Sequence, residues 1–158
     1  MHEYSSAFSE DKKTVRAIGR EYNVSELEVI KVLDADKQAR LLEKEYVKKL
    51  IEELPTLGEL LFLVEHGGSI FEIKSVFPQS QESHGYCNLG RAPFSGHLNL
   101  EKITNIGVIS ETMYGRRSCN WVFLGENGET VFKVYIGRDQ NKELLKNQLD
   151  VFERWFNL

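Results

Sequence analysis

Apolar residues recur at helical spacing through the first third of the chain and at strand spacing through most of the rest. Val15, Ile18 and Tyr22 fall three and four apart, and Asn23-Val24 breaks the run. Ser25-Glu26-Leu27-Glu28 follows as an S-x-x-E capping box, in which Ser25 and Glu28 each satisfy an otherwise unpaired backbone N–H. Leu27, Ile30 and Leu33 continue on one face. A third helix is predicted over Lys37 to Leu54, on a stripe of Leu42, Tyr46, Val47, Leu50, Ile51 and Leu54. Pro55 and Gly58 mark its end.

From Gly58 the period changes. Leu60 to Val64 is a short apolar run, bounded by Gly67-Gly68, and Ile70 to Ser75 alternates so that one face is expected to be the more buried. Tyr86–Leu89, His97–Leu100, Ile103–Tyr114, Ser118–Leu124 and Thr130–Ile136 read as further strands. Asn127-Gly128 between the last two is a tight-hairpin signal. A closing helix is predicted from about Gln140 to Phe156, with Leu145, Leu149, Phe152 and Phe156 on one face and Asp139 as its cap. Helices, then a meander of strands, then one helix predict an α+β fold: an antiparallel β-sheet flanked by helices. Length suits a single domain over 1–158, with a helical part at 1–57 and a β-rich part at 58–158.

Composition narrows the function. The 41% hydrophobic content supports a real core, and the net charge of -4 argues against a surface built for nucleic acid. No apolar run reaches the roughly 18–20 residues that cross a bilayer, and the polar start from Met1 to Asp11 lacks a secretory pattern. Cys87 and Cys119 suggest neither a disulfide framework nor a zinc site. The expected compartment is the cytoplasm, without membrane contact.

Candidate chemistry concentrates in His84-Gly85-Tyr86-Cys87-Asn88-Leu89 and Ser95-Gly96-His97. Histidine and tyrosine are among the few side chains that coordinate a haem iron, and the neighbourhood is apolar and aromatic, as a large flat ligand requires. These stretches belong to an ordered series with His66-Gly67-Gly68-Ser69-Ile70-Phe71-Glu72, Tyr114-Gly115-Arg116 and Tyr135-Ile136-Gly137-Arg138-Asp139. From about Gly58 to Trp155 that series resembles the HutX/ChuX family of bacterial haem-utilisation proteins.

The resemblance implies a fold related to one half of the two-repeat HemS/ChuS-type proteins. It implies a homodimer that binds ferric haem (ferric protoporphyrin IX) and hands it to a downstream haem-using or haem-degrading protein. It places the family's Gly-Tyr-x-Asn-Leu tyrosine on Tyr86, the first choice for iron ligand, since a bound cation favours the phenolate. An ordinary strand tyrosine with its ring in the core is the plainer role for the same residue. His97, following a glycine that leaves room for a ligand, ranks second, beside the role of a half-buried histidine bonded to a carbonyl. His66 matches a family histidine that some members carry one position earlier, where this chain has Glu65. His84 ranks fourth, and His2 is assigned to a mobile terminus.

Arg116 and Arg117, in a predicted turn, offer forks for the haem propionates, with Lys74 and Arg91 as alternatives. Taken singly, each is more plainly a solvated surface charge. Phe94, Phe71 and Met113 are candidates to line the porphyrin, or plain core. Besides a purely structural dimerisation module, two rival functions stay open. One is a haem-degrading or haem-modifying enzyme, for which no flavin or nicotinamide fingerprint is present. The other is a helix-turn-helix DNA-binding sensor over Val15 to Leu33, disfavoured by the largely acidic outer face of Glu26, Glu28, Lys31 and Asp34.

Overall fold

The computed structural model describes residues 1–90 and 93–158. Three short helices, α1 (Glu3–Ser9), α2 (Val15–Tyr22) and α3 (Glu26–Ala35), precede β1 (Arg40–Glu43) and α4 (Glu45–Glu53). Then come β2 (Glu59–His66), β3 (Ser69–Val76), β4 (Ser80–Ser83), β5 (Tyr86–Leu89) and β6 (Gly96–Leu98). The meander β7 (Ile103–Met113), β8 (Arg116–Gly125) and β9 (Thr130–Tyr135) leads to α5 (Lys146–Phe156). One antiparallel sheet has the order β1-β7-β8-β9-β2-β3, and a smaller one has the order β4-β5-β6.

Alternation along the strands gives the large sheet two working faces. Trp121, Phe123, Phe132 and Val134 point to one side, where they meet Val47, Leu50 and Ile51 of α4 and Phe152 and Trp155 of α5. Phe123 and Phe132 stack with centroids 4.2 Å apart. Cys87 and Leu89 of the small sheet complete this cluster, and Phe94 joins the sheets through Phe62 at 4.9 Å and Phe77 at 6.0 Å. Val122, Leu124 and Ile109 point to the other side, under Val29, Ile30 and Leu33 of α3. Each of those three helical residues is fully buried, worth about 1.5–3 kcal/mol apiece. Gly107 lets α3 come this close, because a Cβ there would stand 2.9 Å from Ile30 Cδ1.

The α1–α3 unit covers only part of its face, and polar groups seam its edge. Glu111 on β7 is 6% exposed, accepts the Val15 N–H at 2.9 Å and takes a bond from Asn120 at 3.3 Å. Burial pushes the Glu111 carboxyl up despite those donors. Lys133 on β9, 5% exposed, pairs with Glu26 at the start of α3 over 2.7 Å. Glu65 on β2 takes both arms of Arg16, at 2.7 and 2.8 Å, and Arg20 at 2.9 Å, and the arginines hold its carboxyl down.

Several sequence expectations change. The helix expected over 37–54 is a strand followed by a helix: Leu42 pairs with Ile106 of β7, and α4 begins at Glu45. The polar N-terminus is helical, with His2 as its cap accepting the Tyr4 N–H at 3.1 Å, so His2 has a structural place in α1. The closing helix starts at Lys146. Asp139 instead accepts the N–H groups of Asn141 and Glu143 in the preceding loop, at 2.7 and 3.1 Å. The strand at His97 ends at Leu98. β3 has no buried face: it forms the sheet edge, and Phe71 is 61% exposed. The tight turns stand as expected, Ser25 caps α3 through the Glu28 N–H at 3.1 Å, and Gly128 has φ 81°.

Candidate functional site

The chemistry-bearing residues fall into two groups. The first is a ledge on the small sheet. β5 alternates, so Cys87 and Leu89 anchor in the core while Tyr86 and Asn88 face outward. Register places His97 of β6 directly opposite Asn88. His97 Nδ1 lies 2.6 Å from Asn88 Oδ1. A carboxamide oxygen only accepts, so Nδ1 is the donor in this contact, and in the neutral ring Nε2 is the nitrogen that carries the lone pair. Tyr86, 43% exposed, stands edge-on to His97 with ring centroids 6.5 Å apart and planes at 86°. A phenol oxygen and a bare imidazole nitrogen are thus displayed side by side on one surface.

The second group is a trough of ≈ 600 Å³ on the part of the large sheet that α1–α3 leave open. Leu61, Leu63, Met113 and Ile136 give it apolar walls, and Tyr135 lies opposite both Leu61 and Asn120 across the sheet. Burial pushes the Tyr135 phenol up, so it stays a neutral hydroxyl. Arg116, Arg138, Lys142 and Lys74 supply positive charge at the rim. Arg138 is steadied by bonds to the Lys142 carbonyl, at 3.0 Å, and to the Arg117 carbonyl. Tyr114 and Gly115, with φ 51° and 77°, make the two-residue hairpin turn at its mouth, and Tyr114 is 99% exposed. An apolar trough with cationic edges suits a flat ligand that carries carboxylates.

Tyr86 and His97 come together; the other candidates disperse. His84 lies in the β4–β5 turn with φ 54°, not on a strand with Tyr86. His66 ends β2 on the side of Phe62 and Val64, whereas Glu65 points the opposite way into its arginine pair. Phe94 is committed to the core between the sheets. Phe71 stands on the exposed β3 edge, and Met113 lines the trough. Arg117 is spent on Ser110 and on Glu153 of α5, at 2.8 and 2.7 Å, leaving Arg116 as the rim arginine from that turn. Arg91 lies outside the described residues. Burial pushes the Cys87 and Cys119 thiols up, so neither offers a thiolate at neutral pH. Sequence reasoning missed Tyr135, Arg138, Lys142 and Leu61 as trough residues. Tyr135-Ile136-Gly137-Arg138 had stood out only as part of the family series. Among the described residues, no helix is long and apolar enough to cross a membrane.

Known proteins resemble this chain over most of its length. Residues 40–155 match the family described as haem utilisation ChuX/HutX. Over 139 residues, 87% of this chain and 72% of the relative, the sequence is 34% identical to the intracellular heme transport protein HutX of Vibrio cholerae serotype O1. The solved structure of the heme binding protein ChuX aligns with a TM-score of 0.83 at 25% identity, over 92% of this chain and 91% of that one. The heme degrading enzyme ChuS of Escherichia coli O157:H7 aligns with a TM-score of 0.80 at 13% identity, covering 98% of this chain but 48% of its own. At that identity the likeness is one of fold, and the fold here corresponds to about half of the longer enzyme.

Proposed function

Since the chain belongs to the ChuX/HutX haem-utilisation family, we propose that it binds haem inside the cell and carries it to a downstream haem-using or haem-degrading protein. The observation that carries this reading is the ledge. Tyr86 and His97 stand together and exposed, with the histidine's Nε2 left available by its bond to Asn88. Phenolate oxygen and neutral imidazole are both axial ligands for haem iron. Exposure of the pair suits a carrier, because cargo that must leave needs a ligand within reach of the acceptor.

Arg116, with Arg138 and Lys142, is the proposed seat for the propionates. In one chain this rim lies on the face of the large sheet opposite the one the small sheet packs against. We therefore propose a homodimer in which haem meets the ledge of one copy and the trough of the other. The unpaired β3 edge, apolar on both faces, supports a second copy as the cover.

Titration of the purified protein with ferric haem tests the reading. One saturable site per chain is expected, with an absorption spectrum altered by Tyr86→Phe or His97→Ala. Losing both side chains is expected to weaken binding by more than roughly a hundredfold. Binding no tighter than to an unrelated protein would remove haem from the account. Light scattering reads the dimer. Mixing a Tyr86→Phe/His97→Ala chain with an Arg116→Ala chain should restore one complete site per mixed pair. The ChuS-like fold keeps one other reading alive, haem breakdown. Consumption of haem with a supplied reductant and oxygen would establish it.

A further inference from the structure

We propose that Asn88 is the positioning residue of the ledge: its amide presents His97 as the Nε2-donor tautomer, and grips it weakly enough for haem to be released. This role rests on the carrier reading above and adds a control on how long the cargo stays.

Three observations support it. Asn88 and His97 are directly paired across β5 and β6, so the 2.6 Å contact is fixed by strand register and not by a flexible loop. Asn88 is half-buried, between Cys87 and Leu89 whose side chains are in the core, whereas the ring it holds is exposed. The anchor is therefore more rigid than the group it anchors. Finally, the acceptor is neutral. A carboxylate at this position would make a charge-assisted bond, raise the imidazole's basicity and strengthen its hold on ferric iron. A neutral amide selects the tautomer without that reinforcement.

Asn88→Asp and Asn88→Leu separate these effects, and the first readout needs no haem. In the ligand-free protein, ¹⁵N NMR of the His97 ring should show a protonated Nδ1 and a bare Nε2. Asn88→Leu should give a mixture of tautomers. In the loaded protein, transfer of haem to apomyoglobin should slow about tenfold or more in Asn88→Asp and quicken in Asn88→Leu. Both effects should vanish in a His97→Ala background, because Asn88 acts through that ring. If Asn88→Asp releases haem at the unaltered rate while His97→Ala changes the spectrum, the role of Asn88 is overturned and the carrier reading stands. If neither Tyr86→Phe nor His97→Ala changes the spectrum, the ligand assignment itself falls, and Asn88 with it. A thermal melt confirms that each variant is folded.

Discussion

The ledge and the trough are built in contrasting ways. Asn88 and His97 are nine positions apart and meet through a single strand pairing. The trough gathers Leu61 from β2, Met113 from β7, Arg116 from β8, Tyr135 from β9 and Lys142 from the loop before α5. A local pairing supplies atoms able to bond a metal. Shape and charge for a large ligand come from the tertiary fold. Ledge substitutions should therefore alter chemistry at little cost to stability, whereas the trough is sensitive to whatever holds the sheet and the α1–α3 unit together.

The largest effect expected tests that difference directly. Lys133→Met leaves the largely enclosed Glu26 without its cation, and should cost about 3 kcal/mol in urea denaturation. Tyr86→Phe, on the exposed ledge, should stay within about 0.5 kcal/mol of the unaltered protein. Equal losses would mean that the ledge is structural. Next in size, Arg116→Ala should weaken haem about tenfold, with the loss shrinking as salt is added and the absorption spectrum unchanged. A changed spectrum would break the proposed division between a ledge that ligates iron and a trough that holds the propionates.

The smallest effect sharpens the picture at the seam beside the trough. Glu111 is raised by burial, so the stability it contributes is whole below the ordinary carboxylate range and is lost as pH rises through its folded value. Glu65 is lowered by Arg16, so its contribution is present above that range and is lost as pH falls through its folded value. Glu111→Gln should flatten the decline of stability on the alkaline side, and Glu65→Gln the decline on the acid side. Denaturation midpoints followed between about pH 3 and 8 would show the two opposite signatures.

Legibility in the sequence follows the same division. The strands of the β7–β9 meander could be read because alternation and turn residues are local signals. Tyr86 and His97 were singled out by the family motifs that carry them, and they meet because β5 and β6 pair locally. β1 could not be read, since Leu42 sits in phase with the stripe of α4, and only the distant β7 makes this segment extended. α1 was hidden because its buried residues are Ser5 and Ala7, too small and polar to register as a stripe. Asp139 looked like a helix cap because the bonds it makes to Asn141 and Glu143 are local ones that a helix start would also use. The trough left no trace along the chain, as its residues become neighbours only through sheet order.

The outer border of β3 carries a consequence of another kind. Ile70, Phe71, Ile73 and Val76 are four of the eight large apolar side chains exposed among the described residues, and they share one strand whose outer backbone groups have no ladder partner. Such a border is a template for any extended segment that passes, and Glu72 and Lys74, set among those side chains, are its only guards. In a crowded cell the uncovered chain would compete for the same surface with every half-folded neighbour. A cover on that border would protect the protein's lifetime by removing the template.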